Sequence, residues 1–190
     1  MDFRFSDDFL KALEFSRDEA LRTGWHNITS DHVMLGILRL GECPACAALE
    51  ALGADLSLFK EQLDESLFRP EQIPWEERES ILPCESAMAT LQHAALEARR
   101  CSSGAVEPLH FVLAICRLSG TYSHDLLDSL GISLRALVEA SGIDWSGYRL
   151  VPDQPVAPDP SAVMPDPQLL AAAIEQRIRE GYTTDNPHVS

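Results

Sequence analysis

Apolar residues return at helical spacing along most of the first 142 positions of the chain. The first such pattern predicts an amphipathic helix. Ser6 stands before it as a helix cap, and Gly24 follows it as a stop signal. The pattern is carried by Phe9, Leu10, Leu13, Ala20 and Leu21.

Three more helices are predicted before position 68. They begin after Thr29 or Ser30, at Pro44 and after Asp55. Glycines at positions 41 and 53 separate them, because glycine readily adopts the left-handed conformation that ends a helix. Few segments alternate between apolar and polar residues as strands do, so the predicted fold class is all-α.

The same plan recurs in the second half of the chain. Aligning His32 with His110 sets an offset of 78 residues, and the alignment continues without a gap. Short helical units of this kind bury their apolar faces by packing on a neighbouring unit. The sequence therefore predicts one domain of two pseudo-symmetric four-helix repeats. Identical residues coincide in both repeats: Glu19 with Glu97, Arg22 with Arg100, Arg39 with Arg117, and Gly53 with Gly131.

Composition divides the rest of the chain. Three prolines mark a predicted linker, in which Glu76, Glu77 and Glu79 form a solvated charge run. Further on, frequent prolines predict an extended tether, and an apolar stripe predicts a short helix that packs on its own domain, on a partner or on a second copy. The predicted segments are repeat one at 1–68, the linker at 69–83, repeat two at 84–142, the tether at 143–167, an amphipathic helix at 168–181 and a disordered tail at 182–190.

Charge restricts the class of partner. The formal charge is −15 and lysine occurs only at Lys11 and Lys60, so the surface repels phosphate backbones and anionic lipids. No apolar run reaches the roughly 18 residues of a membrane helix, and no signal-peptide pattern opens the chain. We therefore expect a cytoplasmic protein whose partners are proteins, with neither nucleic acid nor membrane among them.

One enzyme-like motif is present, the C-x-x-C formed by Cys43 and Cys46 at a predicted helix start. A helix start lowers the pKa of a thiol, which makes a redox pair one interpretation. Packing of two small apolar side chains is the favoured interpretation, because the other repeat has Thr121 and His124 at these positions. A zinc site would need two further ligands with suitable spacing, and none is found.

Catalytic signatures are otherwise missing from the sequence. It contains no phosphate-binding G-x-x-x-x-G-K-[ST] loop, no G-x-S-x-G and no H-E-x-x-H. We predict no catalytic residues, no metal site, no cofactor and no enzymatic activity.

The segment at 4–42 resembles the first repeat of the N-terminal domain of the Clp unfoldases. The resemblance rests on Phe5-Ser6, on Glu19-Ala20 followed by Gly24 and His26, and on the octapeptide SDHVMLGI at 30–37. The second repeat carries it more weakly, in PLHFVLAI at 108–115 and LLDSLGIS at 126–133. It covers about residues 3–142 and implies an all-α module that captures substrates and adaptor proteins.

The resemblance also implies a set of binding residues. Some members of the family bind phosphorylated arginine through one acidic residue per repeat, just before the histidine. Asp31 is acidic at that position, whereas Leu109 in the second repeat is not, which argues against a paired receptor. A helix-stabilising role for the Asp31 charge is the competing interpretation. The predicted protein-binding or peptide-binding residues are Ser6, Ser30, Asp31, Glu42, Cys84 and Leu109.

The predicted function is a protein-binding adaptor or regulatory module that contacts a Clp unfoldase, its clients or its adaptors through grooves between the repeats. One alternative is a redox-responsive protein that uses Cys43 and Cys46. The other is a structural scaffold that associates with itself, and the sequence leaves the oligomeric state open.

Overall fold

The computed structural model describes residues 4–148. Helices dominate this part of the chain, which confirms the predicted all-α class. The tail predicted beyond residue 148, including the helix at 168–181 and the disordered segment at 182–190, lies outside the described residues. The helices are α1 Asp7–Thr23, α2 Ser30–Leu40, α3 Pro44–Ala51, α4 Leu56–Leu67, α5 Glu85–Arg100, α6 Pro108–Arg117, α7 Tyr122–Ser129, α8 Leu134–Ala140 and α9 Trp145–Tyr148, with a 3₁₀ helix at Trp75–Ser80 and two-residue strands β1 Asn27–Ile28 and β2 Leu82–Pro83.

Helix boundaries follow the predicted caps. Ser6 Oγ accepts a hydrogen bond from the Phe9 N–H at 3.2 Å, which satisfies one of the free donors at the start of α1. Asp55 does the same for α4, and Ser133 for α8. Gly24 ends α1 with a φ of 79°, a left-handed conformation that glycine adopts without strain.

Each repeat is built on one long helix pair, α1 with α2 and α5 with α6. The first pair approaches so closely that a Cβ atom on Gly36 would lie 2.2 Å from the backbone oxygen of Ala12. The equivalent position in the second pair holds Ala114, which is fully buried. The two repeats therefore share a plan but differ in how closely their long helices pack.

The segments that precede the helices pair across the repeats. The backbone N–H of Ser6 donates to the Val106 oxygen at 2.9 Å, and that of Cys84 donates to the Ile28 oxygen at 2.9 Å. These two bonds are equivalent at the 78-residue offset. Phe5 and Val106 form a parallel bridge, and β1 pairs with β2 in parallel. The repeats are thus related by a pseudo-twofold axis, with each completing the short strand of the other.

The linker between the repeats is held against α1. Its 3₁₀ helix places Glu79 Oε2 2.9 Å from Nη1 of Arg17, whose side chain is almost fully buried. Arg78 Nε lies 2.7 Å from Asp18 Oδ1. Glu76, Glu77 and Glu79 are all exposed, as predicted for a solvated charge run. Glu79 in addition supplies the counter-charge that the buried guanidinium of Arg17 requires.

Residues 143–148 do not begin a tether as predicted. They pack on the second repeat and include α9, and Tyr148 is buried to 1% exposure. The Tyr148 hydroxyl donates to the carboxylate of Glu97 and accepts from Nη2 of Arg117 at 3.1 Å. The proline-rich composition that suggested a tether starts after these residues.

No single helix within residues 4–148 combines the length and apolarity of a membrane span. The helices α2 and α3 have the length and apolarity of a membrane span only when they are taken together, and a 90° bend separates them.

Candidate protein-binding site

Three helices of the described region, α2, α5 and α7, begin close together. The first two are joined by the hydrogen bond from the Cys84 N–H to Ile28, and by a 2.9 Å contact between the hydroxyl groups of Ser30 and Thr90. The start of α7 joins them through Asp31. We call this place the α2–α5–α7 site.

Asp31 caps the start of α7 from the other repeat. Its Oδ1 accepts from the Ser123 backbone N–H at 2.8 Å and from the Ser123 hydroxyl at 2.6 Å, and its Oδ2 accepts from the Tyr122 N–H at 3.3 Å. Helix starts attract negative charge because their first N–H groups have no partner within the helix. Both carboxylate oxygens of Asp31 are therefore engaged inside the domain.

The pseudo-twofold axis relates the α2–α5–α7 site to a second, equivalent site, where α1, α3 and α6 begin. The Ser6 N–H bonds to Val106, just before α6, and α3 packs against α6. Asp8, in the first turn of α1, lies near Cys43 at the start of α3, where the charge of Asp8 partly opposes the hydrogen bonds that lower the pKa of the Cys43 thiol. We call this the α1–α3–α6 site.

The two sites differ in how the third helix is capped. Where Asp31 faces Tyr122 and Ser123, the equivalent residues of the α1–α3–α6 site are Leu109, Pro44 and Ala45. Proline has no backbone N–H, so the donor at the first position of α3 is lost together with the acceptor carboxylate. At this position the α1–α3–α6 site is consequently apolar, whereas the α2–α5–α7 site holds a hydrogen-bonded carboxylate.

The six predicted binding residues fall into two groups. Ser30, Asp31 and Cys84 lie at the α2–α5–α7 site, where Cys84 is the N-cap residue of α5. Ser6, Leu109 and Glu42 lie at the α1–α3–α6 site. Of these three, Leu109 is 6% exposed and Ser6 is half-buried, whereas Glu42 is exposed and precedes Cys43 directly. Their role in binding stays a prediction.

Cys43 and Cys46 occupy the first turn of α3. Cys43 is the N-cap residue, and its Sγ accepts from the Cys46 backbone N–H at 3.5 Å. The hydrogen bond from the Cys46 side chain and those from the N–H groups of Cys46 and Ala45 lower the pKa of the Cys43 thiol, against the opposing effect of burial. The same side-chain bond, together with burial, raises the pKa of Cys46. Both thiols are free.

The two repeated histidines are structural. Nδ1 of His32 accepts from the Thr29 N–H at 3.0 Å, and Nδ1 of His110 accepts from the Glu107 N–H at 2.9 Å. Burial, with the positive charge of nearby Arg22 and Arg69, lowers the pKa of His32 to about 4. Burial alone lowers the pKa of His110 to about 4. Both rings are therefore neutral near pH 7 and hold their helix starts together.

Sequence reasoning aligned the repeated Glu and Arg residues but missed the ion clusters they form. Glu97, 1% exposed, binds Arg100 Nη1 and Arg117 Nε, each at 2.7 Å. Glu19 binds Arg22 Nη2 at 2.6 Å and Arg39 Nη1 at 3.3 Å. The signal was available, since three charged residues kept their identity at the same offset in both repeats. Each cluster ties the two long helices of its repeat together.

In the part of the chain that the structure describes, no group of three or more His, Cys, Asp or Glu side chains has the arrangement of a metal site.

The tandem four-helix plan, with its exchanged strand pairing, defines an all-α double-repeat domain. The family model that matches this chain is the Clp repeat (R) N-terminal domain, over residues 4–130. The chain belongs to this family, and the resemblance found in the sequence is confirmed.

Curated relatives agree with this assignment. The chain is 30% identical over 131 residues to the chaperone protein ClpB of Oceanobacillus iheyensis, an alignment that covers 69% of this chain and 16% of that protein. It is 29% identical over 131 residues to ClpC/MecB of Bacillus subtilis, a negative regulator of genetic competence, with the same two coverages. The match therefore spans about a sixth of the length of these relatives.

A solved structure confirms the fold. The N-terminal domain of Hsp104 from Candida albicans superposes with a TM-score of 0.57 at 15% identity, and the superposition covers 73% of this chain and 89% of that one. At this level of identity the likeness concerns the fold alone.

Proposed function

We propose that this chain is a protein-binding adaptor or regulatory module, which contacts a Clp unfoldase, its clients or its adaptors at the α1–α3–α6 site. The observation that carries the proposal is the combination of exposed carboxylates with an apolar floor. Asp8 and Glu42 are exposed there, while Leu109 and Cys43 are nearly buried. A basic or amphipathic segment of another protein fits this combination, because its cations pair with the carboxylates and its apolar residues with the floor.

The rest of the surface supports a cationic partner. The chain has a formal charge of −15, so its field attracts basic segments from a distance and raises their rate of association. Family membership supports a binding role, since the matched relatives are Clp proteins and the match lies within their Clp repeat domain.

The α2–α5–α7 site is the weaker choice for a guanidinium group. Asp31 already accepts three hydrogen bonds from the start of α7, and an incoming guanidinium would have to displace them or share the same oxygens. We therefore propose one principal site and not a symmetric pair. Tyr122, 40% exposed beside Asp31, remains available as an aromatic contact at the rim.

A capture experiment with matched variants tests the proposal. The tagged full chain is incubated with native lysate of its source cells, and the bound proteins are identified by mass spectrometry. The double variant Asp8→Asn with Glu42→Gln removes two charges at the site. The control, Glu61→Gln with Glu65→Gln, removes two exposed charges on α4. Two exposed ion pairs are worth about 1 kcal/mol together, so the first variant should retain several-fold less partner.

The outcomes separate the possibilities. Recovery of a Clp unfoldase or a defined client set by the wild type and the control, with loss in the first variant, supports the proposal. Equal recovery by all three would place the contact elsewhere on the chain. If no specific protein is captured by any of them, the adaptor function is wrong. A chain ending after Tyr148 shows in the same experiment whether the remaining residues take part.

A further inference from the structure

The cysteine pair at the start of α3 is a departure from the repeat. The equivalent positions in α7 hold Thr121 and His124, and Thr121 caps its helix with a hydroxyl group that accepts from the His124 N–H at 3.1 Å. A hydroxyl is thus sufficient for the cap. The thiols at Cys43 and Cys46 are not required by the architecture that the two repeats share.

We propose that Cys43 and Cys46 form a thiol–disulfide exchange site, in which Cys43 attacks an external low-molecular-weight disulfide and Cys46 then closes an intramolecular disulfide. The inference stands apart from the proposed adaptor function, because it concerns the chemistry of the chain itself.

The position of the two sulfurs on the helix supports the pair. An N-cap side chain folds back over the first turn, and the residue three positions later is the one whose N–H it meets. The 3.5 Å contact from the Cys46 N–H to Cys43 Sγ shows this arrangement. Residues three apart on a helix lie near enough for a disulfide after a small adjustment.

Burial assigns the two roles. Cys43 retains 7% of its surface exposed, whereas Cys46 is 1% exposed and its thiol lies 3.7 Å from the Ile37 carbonyl oxygen. An external disulfide therefore meets Cys43 first. Cys46 is the resolving thiol because it is shielded from solvent and already lies beside Cys43.

Electrostatics at the start of α3 favour a thiolate on Cys43. The start of α7 receives its negative charge from Asp31, but the equivalent Leu109 supplies none to α3. The N–H groups at the start of α3 therefore have Cys43 Sγ as their acceptor, and a thiolate satisfies them better than a thiol. The negative charge of Asp8 opposes this effect at Cys43, and that of Glu50 raises the pKa of Cys46.

Of the other three cysteines in the described region, Cys84 is also an N-cap residue, but its side chain accepts no hydrogen bond from the start of α5. Burial, with the charge of Glu97, raises the pKa of Cys101 and of Cys116 to about 12. Those two thiols stay protonated and inert as nucleophiles near pH 7. Cys84 is half-buried at the start of α5 and serves as an internal reference for an accessible thiol.

The exchange balances in two steps. In the first, the Cys43 thiolate attacks one sulfur of the external disulfide, a mixed disulfide forms, and one low-molecular-weight thiolate leaves with the bonding electron pair. In the second, Cys46 loses its proton to solvent or to that thiolate, attacks Cys43 Sγ and expels the second thiolate. The protein loses two thiol hydrogens, and the external disulfide is reduced to two thiols.

The test uses the reduced full chain and glutathione disulfide. After timed incubation the reaction is quenched with acid, the remaining thiols are alkylated, and each cysteine is assigned by peptide mass spectrometry. We expect the wild type to acquire a Cys43–Cys46 disulfide without retained glutathione. We expect this to proceed about tenfold faster than glutathionylation of Cys84, because the thiolate is the reacting form.

Two single variants distinguish the roles. Cys46→Ser should stop after the first step and retain one glutathione on Cys43. Cys43→Ser should leave Cys46 unreacted, since the nucleophile is gone. Serine is a good N-cap residue, so the second variant keeps α3 capped as Thr121 keeps α7 capped. Unfolding by urea, measured in parallel, confirms that both variants are folded.

Two results would overturn the proposal. One is a Cys46→Ser variant that takes up glutathione at Cys84 while Cys43 stays free. The other is a Cys43→Ser variant in which Cys46 reacts as fast as the pair does in the wild type.

Discussion

The two repeats hold the same helices in place by different means. At the α2–α5–α7 site a carboxylate, Asp31, reaches from one repeat to cap a helix of the other. At the α1–α3–α6 site the same position is Leu109, and the helix facing it begins with Pro44 and a thiol cap. Acceptor and donor changed together, since an aliphatic side chain replaces the carboxylate and a proline replaces a residue that has an N–H. A repeat can therefore lose a charge and keep its fold when both partners change.

The ion clusters differ in the same way. In the second repeat Glu97 is sealed by Tyr148, and Arg100 and Arg117 beside it are largely buried. In the first repeat the side chains of Arg22 and Arg39 are 48% and 43% exposed. Water screens the charges of the Glu19 cluster more than those of the Glu97 cluster. The same substitution should therefore change the free energy of unfolding by different amounts in the two repeats.

The largest effect is expected from Glu97→Gln. The change removes the buried carboxylate charge that Arg100 and Arg117 both contact, which should lower the free energy of unfolding by about 3–5 kcal/mol. The matched variant, Glu19→Gln, should lower it by about 1 kcal/mol, because Arg22 and Arg39 recover hydration. Urea unfolding at pH 7 measures both. Equal losses would show that the burial difference between the clusters has no energetic weight.

Acid pH should weaken both repeats through their histidines. The pKa of His32 and of His110 is about 4 in the folded chain, against about 6.5 for a histidine in an unfolded one. Between these values the unfolded chain binds more protons, so the free energy of unfolding falls as the pH drops from about 6.5 to 4. Each histidine contributes on the order of 3 kcal/mol across the whole range.

The pH effect is measured by urea unfolding of the wild type and of His110→Gln at neutral and mildly acidic pH. In the variant, the free energy of unfolding should lose the pH dependence that His110 contributes and keep the pH dependence that His32 contributes. A variant whose stability falls with pH as steeply as the wild type would contradict the assignment to His110.

Packing of the long helices gives the next effect. Gly36→Ala would place a Cβ atom 2.2 Å from the Ala12 backbone oxygen, so the helix pair must separate, at about 1–3 kcal/mol. Intrinsic helix propensity predicts the opposite sign, a gain of about 1 kcal/mol. The sign of the change in urea unfolding therefore decides between the two effects. In the second repeat Ala114→Gly should lose about 1 kcal/mol from helix propensity and about 1 kcal/mol more from the buried methyl group that is removed.

The smallest effect is expected at the cap itself. Asp31→Ala removes three hydrogen bonds to the start of α7 and should lower the free energy of unfolding by about 1–2 kcal/mol. The converse change, Leu109→Asp, should give no gain, because Pro44 offers no N–H to the new carboxylate. A stabilised Leu109→Asp variant in thermal or urea unfolding would contradict this account of the two sites.

Much of the fold could be predicted because its signals are local. Ser6, Gly24 and Asp55 act within one or two turns of their own helices, and the 78-residue offset is visible by alignment. The contact of Asp31 with Ser123 spans 92 residues and depends on how the repeats face each other. No local pattern predicts this contact. The sequence shows only that both of its members differ between the repeats, since Leu109 is the equivalent of Asp31 and Ala45 is the equivalent of Ser123.

The end of the domain was missed for a similar reason. A change to proline-rich composition suggested that the packed region stops near residue 142. The residue that closes the second ion cluster, Tyr148, follows that point and is recognised only when its hydroxyl is seen against Glu97. Composition shows where the proline-rich segment begins. It does not show that a residue just before that segment, Tyr148, hydrogen-bonds a buried carboxylate.

The exchanged strand pairing has a consequence for the origin of the domain. Phe5 needs the segment before α6, and Pro83 lies beside the segment before α2, so neither half can satisfy its own short strand. A single repeat carrying both segments would find the missing edge only on another copy, in an isologous twofold dimer. Joining the copies through one linker turns that bimolecular encounter into an intramolecular one at an effective concentration of about millimolar. The fused halves no longer have to be identical, and one can exchange a carboxylate for a leucine while its partner keeps the original contact.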